Sequence, residues 1–195
     1  MLKLLYMCSN CSFCGSTLHT SIHCNVENKM APYFKKEVGI KMEEFITENI
    51  NCQVCKLKKL EVLGNYTPSL DLICKNCNAK YEVKSKCLSV KNLPNDIYCN
   101  GGNYNEFTRN INNGLNLIIV VYGVDRKKKK IIIRNIYYAP NNILCNNKYI
   151  EINKKPESSL SLIKIQNKNF LKNICLYSNR ILSFENLYNN LKEII

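Results

Sequence analysis

No apolar run in this chain approaches the roughly 18–20 residues that a membrane-spanning helix needs. The longest clean stretch, Leu117 to Tyr122 (Leu-Ile-Ile-Val-Val-Tyr), is strand-sized. Met1 to Met7 is apolar apart from one lysine, but it is too short for the core of an export signal and lacks a small-residue cleavage site. No membrane association is expected, and the protein is expected inside the cell rather than secreted: cytoplasmic, or nuclear or in a virus factory, depending on its source. Acidic residues are scarce, 15 against 28 Lys and Arg, for a formal charge of +13. That excess suggests a polyanionic partner, most plausibly nucleic acid. Lys, Asn, Ile and Tyr are all abundant, however, as AT-rich codon usage also yields, so charge alone does not decide the matter. Internal repeats are absent apart from a recurring Cys-x-x-Cys.

What the chain does have is cysteine, 12 in 195 residues. A secreted disulfide scaffold would fit that number, but no export signal accompanies it and the best-spaced cysteines come as pairs. Cys52 and Cys55 are followed, after eighteen residues, by Cys74 and Cys77. Each Cys-x-x-Cys turn points two thiolates at one centre, and two turns complete a tetrahedron around Zn²⁺. A second cluster (Cys8, Cys11, Cys14, His19, His23 and Cys24) offers several four-ligand combinations, with a polar, partly disordered arm as the alternative. Cys87, Cys99, Cys145 and Cys175 are scattered and read as core or incidental residues.

Hydrophobic content of 46% supports a real core in one medium domain with a small appendage. The expected division is a Cys/His-rich arm over 1–32, with a possible second zinc knuckle, and a catalytic domain over 33–195, with its zinc site at 52–77. Val38, Met42, Phe45 and Ile46 recur at helical spacing, which predicts an amphipathic helix over 35–49. Glu43, Glu44 and Glu48 fall on or beside its polar face, and a solvated face is preferred over projection toward a metal. Strands are expected at 60–63, 70–74 and 81–88, a loop over 89–102, and a short helix from Tyr104 ending near Gly114. Two further strands, 115–124 and 130–138, flank a basic hairpin tip at 125–127. Past Pro140 the pattern weakens, with strands at 148–152 and 160–165 and a last helix capped by Ser183 and carrying Leu187, Leu191 and Ile194.

The chemistry-bearing residues bracket the second cysteine pair. Asp71 precedes it, and Glu82, Val83 and Lys84 follow it, with ten residues between Asp71 and Glu82. Hydrolysing a phosphodiester calls for a hard divalent cation, an activated water and relief of developing negative charge. Carboxylates on two neighbouring strands can hold Mg²⁺ through oxygen ligands, and the Val83 carbonyl can add another. A lysine two residues beyond the second carboxylate shares its strand face. The D-x10-E-x-K pattern is weak by itself, because charges on solvent-facing strands also produce it. An aspartate in an otherwise apolar strand is costly unless it is used or paired, which strengthens the pattern here.

Asn51-Cys52-Gln53-Val54-Cys55, Asn65-Tyr66-Thr67-Pro68-Ser69-Leu70-Asp71, Cys74-Lys75-Asn76-Cys77 and Tyr81-Glu82-Val83-Lys84-Ser85-Lys86 together resemble the catalytic domain of DpnI-type restriction endonucleases, which include the Dam-replacing proteins. The resemblance is specific over about residues 41–90 and thin beyond about 140. It implies an α/β restriction-endonuclease-like core, a mixed central sheet flanked by helices, with an embedded zinc ribbon. It also implies PD-(D/E)xK catalysis by Asp71, Glu82 and Lys84. Mg²⁺ would be held by Asp71, Glu82 and Val83, and structural Zn²⁺ by Cys52, Cys55, Cys74 and Cys77. The partner implied is double-stranded DNA, cut by a restriction-like endonuclease, and a homodimer would serve to cut both strands. Sensitivity to adenine methylation comes with the family, yet too few residues follow the core for a separate winged-helix reader of methyladenine. The competing expectation is a non-catalytic zinc-ribbon protein that binds nucleic acid; a zinc-held scaffold for protein partners is a weaker third.

Overall fold

The computed structural model describes residues 25–64, 70–87, 96–125, 130–146, 148–156, 158–166 and 168–182. In chain order the elements are α1 (Asn25–Asn49), β1 (Leu60–Val62), β2 (Leu72–Cys74), β3 (Lys80–Cys87), β4 (Ile97–Asn103), α2 (Tyr104–Asn112) and β5 (Asn116–Asp125). They continue with β6 (Lys130–Ala139), α3 (Asn141–Asn146), β7 (Ile150–Lys154), β8 (Leu160–Ile165), α4 (Lys168–Asn173) and β9 (Cys175–Leu182). The chain divides into two compact units, Met1–Val38 and Gly39–Ile195. The described part of the first is the beginning of α1, and the sheets and the candidate site described below belong to the second. No helix among the described residues is long and apolar enough to cross a membrane.

A six-stranded mixed sheet, ordered β1-β2-β3-β5-β6-β9, forms the centre, and a three-stranded sheet, β4-β8-β7, accompanies it. Among the described residues every pairing is antiparallel except β3 with β5, where Tyr81 to Cys87 lie beside Asn116 to Tyr122. A parallel pair must be joined by a crossover, and here β4 and α2 supply it. Leu117 through Val121 are all buried, as expected of a central strand covered on both faces. Leu117, Ile119 and Val121 pack in one cluster with Phe107 and Ile111 of α2, Ile97 and Cys99 of β4, and Ile163 and Ile165 of β8.

Local chemistry explains the ends of α2. The Asn103 side chain accepts hydrogen bonds from the amides of Asn105 (3.0 Å) and Glu106 (3.3 Å), satisfying two donors that the first helical turn leaves open. Past its end Gly114 takes φ +87°, a conformation that side chains resist. Both boundaries match the sequence expectation for this helix.

Other boundaries differ. The segment expected to be a loop over 89–102 becomes strand β4 from Ile97 onward. Gly101 and Gly102, which suggested a turn, serve close packing instead: a Cβ on Gly101 would collide with the Ser161 hydroxyl, which donates to the Gly102 carbonyl at 3.1 Å. Helix α1 begins at Asn25, ten residues before the apolar period starts. Three elements beyond Pro140 were not foreseen: the one-and-a-half-turn helices α3 and α4, too short to show a period, and strand β9. Of the hairpin tip expected at 125–127, Asp125 ends β5, while residues 126 and 127, the cluster Cys8 to Cys24 and the last helix capped by Ser183 lie outside the described residues.

Candidate active site beside a four-cysteine cluster

Two knuckles of the same design hold the cysteines. In the first, the Cys52 amide donates to the Leu57 carbonyl (2.9 Å) and the Lys56 amide to the Cys52 carbonyl (2.8 Å). In the second, the Cys74 amide donates to the Ala79 carbonyl (2.9 Å) and the Asn78 amide to the Cys74 carbonyl (2.8 Å). The fifth position of each knuckle is left-handed, Lys56 at φ 64° and Asn78 at φ 57°. Non-glycine residues rarely take that conformation without a reason. Here it wraps the chain round so that both sulfurs of a pair face one point.

The four sulfurs lie within 4.8 Å of one another, with Cys52–Cys77 and Cys55–Cys74 each at 3.6 Å. A tetrahedral Zn²⁺ with bonds of about 2.3 Å would set its thiolates about 3.8 Å apart, so the donor set and its size fit that ion. Burial opposes ionisation of the Cys52 thiol, but the Tyr81 hydroxyl and the amides of Cys55 and Val54 bring it down to about 6, whereas burial and the three neighbouring thiols push Cys77 up to about 12. Four sulfurs this close do not all ionise without a cation among them. Among the described residues this is the one cluster of this kind. Of the scattered cysteines, Cys99 is buried in the core while Cys87 and Cys145 are exposed.

The second knuckle is the turn between β2 and β3, so it connects the segment bearing Asp71 to the strand bearing Glu82 and Lys84. Strands β2 and β3 pair only at Leu72–Tyr81 and Ile73–Lys80. Beyond that point the Asp71 carboxylate takes the place of a strand carbonyl: its Oδ2 accepts from the Val83 amide at 2.6 Å. Asp71 is thereby held against β3 at the place where β2 peels away.

Glu82 is almost fully buried, at 2% exposure. The Lys84 ammonium pairs with its Oε1, while Oε2 is buried with no hydrogen-bond partner. Burial raises the Glu82 carboxyl to about 7, with Asp71 adding to the rise and Lys84 opposing it. Asp71 is likewise pushed up by burial, against the pull of Lys84 and the Val83 amide. Burial alone would lower the Lys84 ammonium, but Glu82 and Asp71 outweigh it and hold Lys84 above the ordinary lysine value.

The structure brings one further carboxylate to this place. Glu43 of α1 is half-buried, and desolvation together with the charges of Asp71 and Glu82 raises it to about 7, against the pull of Lys84. The expected solvated helix face therefore breaks up residue by residue. Glu48 is exposed, Glu44 pairs with Lys41 at 2.6 Å, and Glu43 is half-buried and feels the charges of Asp71, Lys84 and Glu82. Glu43 directly follows the fully buried Met42, and that position at the margin of the apolar stripe is the signal that singles it out.

Three carboxylates and one ammonium are thus coupled through their charges in a mostly desolvated corner, and a divalent cation would balance them if all four groups ionise. No curated protein matches the chain. The Dam-replacing family (DpnI) matches residues 18–183, most of the sequence, including the four cysteines and Asp71, Glu82 and Lys84. The chain belongs to the Dam-replacing family and is a DpnI-type restriction endonuclease domain.

Proposed function

We propose that this chain is a Mg²⁺-dependent endonuclease that hydrolyses phosphodiesters of double-stranded DNA in restriction-enzyme fashion. The observation that carries the reading is Glu82. A buried carboxylate with one oxygen unpartnered is costly, and it is explicable if that oxygen faces a cation. Asp71 and Glu82, with Glu43 beside them and the Val83 carbonyl within the same strand, offer the hard oxygen ligands that Mg²⁺ takes. Bound there, Mg²⁺ supplies charge relief on the phosphate and a more acidic water.

The chain's own residues do the rest. Lys84 places a cation two residues along β3 from Glu82, where it stabilises negative charge developing on the phosphate. Tied to Glu82, it also stays fixed rather than sweeping through solvent. The Val83 amide orients Asp71, so three groups converge from two backbone segments. Zn²⁺ on Cys52, Cys55, Cys74 and Cys77 has a structural part, because all four positions are closed by protein. Cutting both strands would need two such sites, which a homodimer provides. Sensitivity to adenine methylation belongs to the same reading.

The test is plasmid cleavage on adenine-methylated and unmethylated DNA, with Mg²⁺ and with EDTA. Mg²⁺-dependent cutting is expected, abolished in Asp71→Ala and Glu82→Ala while zinc content stays whole. Cleavage that persists in both variants would sink the assignment.

A further inference from the structure

The sheet beside the cysteine knuckles has one buried face and one open face. Leu60, Leu72, Cys74 and Tyr81 form the buried side. On the other side, register places Glu61 of β1, Ile73 of β2 and Lys80 of β3 in one row across the three strands. Lys75 joins this side through its ion pair with Glu61. The Lys75 amide donates to the Lys59 carbonyl at 2.9 Å, which carries the β1–β2 pairing one step further. By the same alternation Lys59 falls on the open side with Glu61. Lys59, Lys75 and Lys80 are all exposed, and Glu61 is the acid among them.

Period two along β3 puts Lys80, Glu82 and Lys84 on the same face. The open cationic surface therefore runs up to the corner in which Glu82 and Lys84 are buried. Lys80 lies about 7 Å before Glu82 along the strand, and Lys59, two strands across and two residues further along, lies about 12 Å from Lys80. A DNA strand advances about 3.4 Å of axis per phosphate. A phosphodiester seated at Glu82 and Lys84 would therefore bring its next few phosphates over these lysines.

We propose that Lys59, Lys75 and Lys80 form a track on the zinc-knuckle sheet for the backbone of duplex DNA leaving the active site, contacting about three phosphates and reading no sequence. This rests on the nuclease reading above and adds the place where the substrate lies. Phosphate contacts set position and register, whereas base contacts set specificity. The track therefore governs affinity and its salt dependence rather than the choice of site. It also gives the knuckle a task besides bracing: the sheet that the metal holds in shape becomes part of the substrate surface.

The test compares wild type with Lys59→Gln/Lys75→Gln/Lys80→Gln. Binding to a labelled DNA duplex is followed by anisotropy in Ca²⁺, which leaves the DNA uncut, over a series of salt concentrations. Each lost phosphate contact removes about 0.9 from the slope of log K against log salt. The triple variant should therefore lose about 2–3 from the slope. Because substitutions near a metal knuckle can disturb folding, lysine acetylation of the wild type gives a second measurement. DNA should protect Lys59, Lys75 and Lys80 and leave the exposed Lys148 and Lys172 open.

An unchanged slope, or no protection of the three lysines, overturns the track. So does loss of zinc from the variant with no protection in the wild type, because the lysines then serve only to offset the thiolates. A wild type that binds DNA with these signatures but never cuts it sinks the nuclease reading alone. One that cuts, yet whose slope ignores the substitutions, sinks the track alone.

Discussion

The Tyr81 hydroxyl lies 3.0 Å from the Cys52 sulfur and accepts a hydrogen bond from the Gln53 amide at 3.1 Å. The residue after Tyr81 is Glu82, so the first knuckle grips β3 one residue from the carboxylate that the proposed chemistry needs. Stripping the cysteine-bound metal should therefore abolish cleavage, and adding Mg²⁺ alone should not restore it, whereas Zn²⁺ followed by Mg²⁺ should. Tyr81→Phe keeps the ring but removes the hydrogen bond, at a cost of about 1 kcal/mol in stability. Zinc affinity should fall by about 10-fold, as for other groups that orient a metal ligand. Chelator competition measures the affinity, and full activity in zinc-free protein would refute the coupling.

Glu82 and Lys84 should respond to substitution unequally. Glu82→Gln removes a buried charge with an unpartnered oxygen but also takes one counter-ion from Lys84, which keeps the charge of Asp71, so the metal-free protein should change by no more than about 1 kcal/mol while cleavage disappears. Lys84→Met leaves the Glu82 and Asp71 carboxylates buried without a counter-ion and should cost about 3 kcal/mol. Denaturant melts in EDTA decide both. If Glu82→Gln costs as much as Lys84→Met, this account of the site is wrong.

The raised carboxyls predict a particular pH dependence. Glu43 and Glu82 titrate near 7 in the folded chain against an ordinary value of 4.5. Over that window the folded protein holds more protons than the unfolded one. Metal-free stability should therefore fall as pH rises from about 4.5 to about 7. Divalent cations bind the ionised form, so cleavage at limiting Mg²⁺ should rise as pH passes through about 7. Mg²⁺ titrations at pH 6 and pH 8 test the second half, and equal affinity at both would contradict it.

Glu43→Gln is the cleanest probe of the helix contribution. With Asp71 and Glu82 intact, cleavage should survive but need about 10-fold more Mg²⁺. Removing one like charge should also ease ionisation of Glu82 and move the pH midpoint of activity downward. A variant with unchanged Mg²⁺ dependence and midpoint would return Glu43 to the status of an ordinary half-buried side chain.

The cysteine cluster was legible because ligand spacing is a local property: the distance from Cys52 to Cys55 along the chain fixes most of their distance in space. The convergence of Asp71, Glu82 and Lys84 was legible for a related reason, since a turn closed by Cys74 and Cys77 sets two strands side by side. Glu43 was not, because its neighbours are nearly thirty residues and more away in sequence and the helical period only grades it as marginal. Strand β4 was hidden for the opposite reason. Gly101 and Gly102 carry a local turn signal that close packing against Ser161 overrides. The short helices past Pro140 owe their existence to docking partners. Asn141 donates to the carbonyls of Ile111 and Leu115, the latter at 3.1 Å, and neither contact leaves a trace in composition.

The parallel pairing of β3 with β5 has a consequence for the order in which the molecule assembles. Tyr81 and Asn116 are thirty-five residues apart in the chain, while β2 and β3 are separated only by the five residues of the second knuckle. Loop closure makes the short hairpin early and the parallel pair late. A metal that closes the knuckles would then act as a nucleus, presenting β3 as a finished edge on which β5 docks. Refolding without zinc should be slow, with the delay falling on the central strands rather than on the hairpin that the metal touches.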